Sequence, residues 1–242
     1  MKKILLLGII ILMIFLIYLC NIDTKVYYVA LGDSLATGEG TYKNKNGYPN
    51  KIKDYLNEKQ VLETYIKEFA KNGCTTTELI NDIKKNKKIK IKNKQIALQH
   101  ALIKADLVTI SIGANDLLNR INVKEKIEYN EIYNYIDQLV LDLDELLKLV
   151  RQYCKEDIIL VGYYNPYLNL NNKKNSSLIK YLNKKYKQVA NKYNINYIEI
   201  DKIFKDNSNF ITKGKDIHPS KEGHKAISKE IIKTINKTLL KA

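Results

Sequence analysis

An apolar run, Val26 to Leu31, stops at Gly32 and delivers Asp33-Ser34-Leu35 into what the pattern reads as the first turn of a helix. A serine at a strand-to-helix turn can stand exposed beside free backbone N–H groups, the setting a nucleophile needs. Taken alone, Ser34 reads first as a cap of the next helix. The glycines of 32–40 fit neither the nucleophile elbow G-x-S-x-G, nor the phosphate loop G-x-x-x-x-G-K-[ST], nor the dinucleotide fingerprint G-x-G-x-x-G.

Two further segments could supply hydrogen-bond donors to a developing oxyanion. Gly113-Ala114-Asn115-Asp116 ends a second apolar run, so the Asn115 side-chain amide can reach the same crevice and donate without carrying charge, a contribution of roughly 3–4 kcal/mol. Gly73, in Asn72-Gly73-Cys74-Thr75, offers a backbone N–H, and its bland reading is a turn before a helix capped by Thr75 and Glu78. A base comes from Asp216-Ile217-His218-Pro219-Ser220. Pro219 biases His218 towards an extended backbone, and Asp216 lies beside it. The other two histidines read differently: His100 as a structural residue of an amphipathic stretch, His224 as a packing or surface residue of the last helix.

These segments, in this order, resemble the SGNH hydrolases, also called the GDSL family of esterases and lipases, from Val26 to the final helix. Gly32-Asp33-Ser34-Leu35 matches the family's nucleophile block, Gly73 its glycine block, Gly113-Ala114-Asn115-Asp116 its G-x-N-D block, and Asp216 with His218-Pro219 its acid and base block. The resemblance implies that Ser34 attacks an ester carbonyl and that His218 takes and returns the proton. It also implies an oxyanion hole of Ser34 N–H, Gly73 N–H and the Asn115 side chain, with a flavodoxin-like sheet of about five parallel strands. One departure stands out. The family places its acid three residues before the histidine, where this chain has Lys215, so Asp216 must orient His218 from two residues away, or a backbone carbonyl must do so instead.

The elements that hold these groups follow from periodicity. Buried strands are expected at Val26–Leu31, Leu107–Ile112, Ile158–Val161 and Tyr197–Ile200, with a weaker one near Leu62–Phe69. Between them a helix spans about Lys124 to Tyr153 on an apolar stripe from Ile136 to Val150, and a last helix carries Ile227, Ile231, Ile235 and Leu239, capped by Ser220. Alternating strands and helices predict a doubly wound α/β sandwich of three layers, with the site beyond the carboxyl ends of the strands. Asn165 to Asn175 reads as a surface loop, and Lys84 to Lys94, with seven lysines in eleven residues, as a solvated loop or helix end.

Composition narrows the class. The chain has 242 residues, 45% of them hydrophobic, enough for one core, and three Cys exclude a disulfide-dense scaffold, so Cys74 and Cys154 are expected as buried free thiols. The net charge of +15 comes almost wholly from lysine, with Arg120 and Arg151 the only guanidinium groups, which argues against a nucleic-acid reader. Too few histidines and acids gather for a catalytic zinc, so neither metal nor organic cofactor is expected. Lys2 and Lys3 precede nineteen uncharged, mostly apolar residues, Ile4 to Ile22, long enough for roughly 28 Å of helix. Residues 1–23 therefore read as a signal-anchor and 24–242 as an extracytoplasmic hydrolase domain in the cell membrane. Lipoprotein processing at Cys20 and a secreted form are the alternatives.

The sequence thus predicts a serine esterase acting through an acyl-enzyme, on either an O-acylated glycan or a lipid or lysophospholipid ester. The rival is a non-catalytic or acyl-transferring module that binds anionic wall polymer or membrane through its lysine surface.

Overall fold

The computed structural model describes residues 25–122, 129–166, 173–205, 207–213 and 216–240. Residues 1–23, read above as a signal-anchor, with Cys20 among them, and Lys215 lie outside them. Among the described residues no helix is long and apolar enough to cross a membrane.

Five parallel strands form the main sheet: β1 (Val26–Gly32), β2 (Leu62–Ile66), β5 (Leu107–Ser111), β6 (Asp157–Val161) and β7 (Asn196–Ile198), in the order β2-β1-β5-β6-β7. Counted within this sheet the order is 2-1-3-4-5, and it reverses between β1 and β5, the switch point where open α/β sheets bind ligands. The central strands β1, β5 and β6 are largely apolar runs because both their faces are covered: in β1, Val29 and Leu31 pack into one core, Val26, Tyr28 and Ala30 into the other.

One face is covered by α3 (Thr76–Lys84), α4 (Leu98–Lys104), α6 (Tyr129–Tyr153) and α7 (Lys173–Lys192), the other by α2 (Tyr48–Glu58) and α9 (Lys221–Thr238). In α6, Ile136, Leu143, Leu146, Leu147 and Val150 are fully buried, the expected stripe at helical spacing. Truncating one of them to Ala would cost about 2–5 kcal/mol. Short helices α1 (Ser34–Thr37), α5 (Ala114–Asn122) and α8 (Asp201–Phe204) follow β1, β5 and β7. Thr75 and Glu78 make the capping box of α3, and Ser220 Oγ accepts from Gly223 N–H at the start of α9.

Four expectations are corrected. The lysine-rich stretch is neither loop nor helix end throughout: Lys88–Ile91 (β3) and Lys94–Ala97 (β4) pair as an antiparallel hairpin whose Ile89, Ile91 and Ile96 pack on the first core. The last strand ends at Ile198, and Ile200 turns into the cap of α8. The loop expected to reach Asn175 gives way to helix at Lys173. His100 is exposed on α4 and holds no structural position. Cys74 and Cys154 are both free and buried.

Candidate active site

β1 and β5 end side by side, with Gly32 paired to Ser111, and both run straight into short helices. Gly32 has φ +127°, and a Cβ there would stand 1.8 Å from Ser111 O, so only glycine allows the two strand ends to approach this closely. Asp33 caps α1: its Oδ1 accepts from Leu35 N–H at 3.0 Å and from Ser111 Oγ at 3.3 Å. Asp33 is buried, and that burial pushes its carboxyl up to about 7 despite these bonds. Ser34 is the first residue of α1, so its N–H has no intrahelical partner.

Ser34 Oγ lies 2.9 Å from His218 Nε2, and His218 Nδ1 lies 2.6 Å from Asp216 Oδ1. Burial opposes the charge on Asp216, but the hydrogen bonds from the His218 backbone and ring outweigh it and hold the carboxyl below its ordinary value. An ionised Asp216 can only accept. The ring proton therefore sits on Nδ1, Nε2 is left as an acceptor, and Ser34 donates to it. The same Oδ1 also accepts from His218 N–H at 3.0 Å, an Asx-type turn that folds the carboxylate back onto the residue two positions on. Thr212 closes the turn, with Oγ1 and N–H both donating to His218 O at 2.9 and 3.0 Å, and Tyr164 donates to Ile217 O at 2.7 Å.

Asn115 is tied to the turn that follows Gly73. Asn115 Nδ2 donates to Cys74 O at 3.0 Å, which occupies one of its two protons, and Asp116 accepts from Thr76 N–H at 2.9 Å and from Thr76 Oγ1 at 3.2 Å. Gly73 takes φ +76°, with open space where a side chain would be. Asn72 ties this turn to α1, accepting from Thr37 Oγ1 and donating to Glu39 Oε2, both at 2.5 Å. The structure thus brings Ser34, His218 and Asp216 into one hydrogen-bonded chain. It sets Asn115 on the wall of the adjoining cavity, while Gly73 lies on the neighbouring turn outside that lining.

That cavity, about 240 Å³, opens beside Ser34 and His218 between α5 and α7. Leu117, Leu118, Ile179, Leu182 and Ile217 give its wall an apolar character, and Tyr163 and Tyr164 also line it. The sequence placed a crevice at the carboxyl ends of the strands but gave no sign of its apolar wall, which is drawn from five separated segments. Such a site can hold an apolar group against a hydroxyl that is hydrogen-bonded to an oriented imidazole, the arrangement needed for nucleophilic attack on a carbonyl. Sequence reading also missed Lys67 and His224. His224 is fully buried in the last helix, where a packing role covers only part of what it does and a surface position is excluded.

Comparison with known proteins places this geometry in context. The GDSL-like lipase/acylhydrolase family model matches residues 30–226. The spore germination lipase LipC of Bacillus licheniformis is 25% identical over 210 residues, which cover 84% of this chain and 93% of that protein. The crystal structure of the lipase Lip_vut3, from a goat rumen metagenome, superposes with a TM-score of 0.67 at 23% identity, covering 85% of this chain and 95% of that one. A mutant of Axe2, an acetyl-xylooligosaccharide esterase from Geobacillus, gives 0.65 at 18% identity, covering 88% and 95%. With the family matched across most of its length, this chain belongs to the GDSL-like lipase/acylhydrolase family and is a carboxylic ester hydrolase.

Proposed function

We propose that this enzyme hydrolyses esters of apolar acyl chains, as in lipids or lysophospholipids, through an acyl-enzyme on Ser34. The observation that carries the choice of substrate is the cavity wall of Leu117, Leu118, Ile179 and Leu182 beside Ser34 Oγ. An acetyl group would leave most of that apolar surface wet, whereas each buried methylene contributes about 0.8 kcal/mol.

In the mechanism, Ser34 Oγ attacks the carbonyl carbon as its proton passes to His218 Nε2, and Asp216 stabilises the imidazolium through Nδ1–H. The oxyanion is met by Ser34 N–H, Gly73 N–H and the Nδ2 proton of Asn115 that Cys74 O leaves free. His218 returns the proton to the leaving alcohol, then activates water to release the acid. Residues 1–23, with Lys2 and Lys3 ahead of their apolar run, anchor the domain on the extracytoplasmic side of the membrane.

The test is hydrolysis of p-nitrophenyl esters from acetyl to long-chain acyl by the full-length chain in micelles, with Ser34→Ala as control. A rise in kcat/KM with chain length, abolished in Ser34→Ala, is expected. A preference for acetyl would move the substrate to acylated glycans, and activity surviving in Ser34→Ala would remove the acyl-enzyme altogether.

A further inference from the structure

His224 stands six residues beyond His218, on the buried face of α9, and its ring is completely enclosed. Both ring nitrogens are used. Nδ1 lies 3.1 Å from the N–H of Tyr48, which can only donate, so Nδ1 is bare and accepts. Nε2 lies 2.8 Å from the carbonyl of Glu39, which can only accept, so Nε2 carries the proton. The two partners flank one segment, Gly40 to Gly47, which leads from the nucleophile helix α1 to α2.

That segment, together with Glu39 at its start, touches both halves of the serine–histidine pair. Glu39 N–H donates to Ser34 O at 2.9 Å, so the residue held by His224 is itself bonded to the backbone of the nucleophile. Gly40 lies so close to the base-bearing turn that an added Cβ would meet Pro219 O at 2.2 Å and His218 Cβ at 3.0 Å. On the other side, α9 begins at the Ser220 cap, and Ser220 N–H donates to Phe210 O, fixing the turn that carries His218. A single imidazole therefore closes a ring of contacts: Ser34 backbone, Glu39, His224, α9, Ser220 and back to His218.

We propose that His224 is a positioning residue for ester hydrolysis, its Nε2–H tautomer fixing the distance between Ser34 Oγ and His218 Nε2 by clamping Glu39 O and Tyr48 N–H. The inference rests on the reading of Ser34 as nucleophile and His218 as base. It assigns a histidine that touches no substrate, and whose role is geometric.

The experiment compares His224→Gln, which keeps one acceptor and one donor, with His224→Leu, which keeps neither, in the full-length chain. His224→Leu should lower kcat on a p-nitrophenyl ester on the order of 10- to 100-fold while KM moves less than about threefold, as expected for a misplacement below 1 Å. The rate of covalent labelling by a fluorophosphonate should fall in parallel, and His224→Gln should recover most of both. A folded His224→Leu with kcat within about twofold of the parent overturns the proposal, as does a His224→Gln no better than His224→Leu. Where His224→Leu fails to fold, ¹⁵N NMR of the unmodified protein at pH 7 decides: a protonated Nε2 and bare Nδ1 are required, and the opposite tautomer or an imidazolium refutes the clamp. Parent-level activity in Ser34→Ala would instead strike the underlying mechanism, so the two failures are distinguishable.

Discussion

Asp216 Oδ1 accepts two hydrogen bonds from His218, one from the ring Nδ1 at 2.6 Å and one from the backbone N–H at 3.0 Å. The backbone bond is what makes a two-residue spacing workable. A carboxylate that caps the N–H two positions ahead is already folded over that residue, so the ring needs only to rotate to meet the same oxygen. The contact is made from Asp216 itself, two residues before the histidine, and not from the third position before it, where the resemblance led the acid to be expected. Asp216→Ala and Asp216→Asn should both lower kcat, by roughly 10²- to 10⁴-fold, with the smaller loss favoured because 43% of the Asp216 side chain is exposed and water can partly replace it. Steady-state kinetics on a p-nitrophenyl ester measures this, and near-parent activity in both variants would mean another group orients His218.

Asp33 should make stability fall as pH rises. Its folded value of about 7 lies above the ordinary 3.8, so between those values the folded chain holds a proton that the unfolded chain has released. Asp33→Asn keeps an oxygen for Leu35 N–H and Ser111 Oγ but carries no charge. The variant should match the parent near pH 4 and exceed it at pH 8 by at most roughly 4 kcal/mol. Thermal melts at the two pH values test it, and a difference that does not grow with pH refutes it.

Lys67 should be a stability residue. Its half-buried ammonium donates to Thr37 O at 3.0 Å, Asn44 O at 2.9 Å and Asn50 Oδ1 at 3.0 Å, all of them neutral, and burial holds its pKa below the ordinary lysine value. Lys67→Met fills the same volume but strands three acceptors, a loss of about 1–3 kcal/mol that denaturant unfolding would detect. An unchanged midpoint would show that water replaces the ammonium.

Lys67 and His224 mark where sequence reading stopped. The sheet was legible because buried parallel strands are unbroken apolar runs, and Ser34, Asn115 and His218 were legible because each follows a strand or precedes a capped helix. The hairpin of β3 and β4 was hidden, since Lys88 and Lys90 alternate with Ile89 and Ile91 and the lysine count masks the period of two. Lys67 and His224 find their partners far along the chain, and no local pattern encodes such contacts. One signal for His224 did exist: it falls three residues before Ile227, on the same stripe as Ile231 and Ile235, where a polar ring must be hydrogen-bonded.

Chain-length preference should be set by Ile179. This residue faces the cavity from α7, opposite Leu117 and Leu118 of α5, and is only partly buried, so a larger side chain can enter the cavity without displacing the core. Ile179→Trp should leave kcat/KM for acetyl esters within about threefold and lower it for long-chain esters at least tenfold, since several buried methylenes at about 0.8 kcal/mol each lose their place. An unshifted profile would place the acyl chain elsewhere.

Gly40 gives the most direct test of the contact between the nucleophile and base segments. Its φ of +83° already disfavours any side chain, and the missing Cβ is the space occupied by Pro219 O and His218 Cβ. Gly40→Ala must therefore push the 39–47 segment away from the turn that holds His218, or shift that turn itself. Either movement lengthens the 2.9 Å bond between Ser34 Oγ and His218 Nε2, because Ser34 follows Glu39 through their backbone bond. The expected result is a loss of kcat on the order of 100-fold together with a lower melting temperature. If Gly40→Ala keeps kcat within about twofold of the parent while its melting temperature falls, the close approach at Gly40 serves packing alone and does not set the serine–histidine distance.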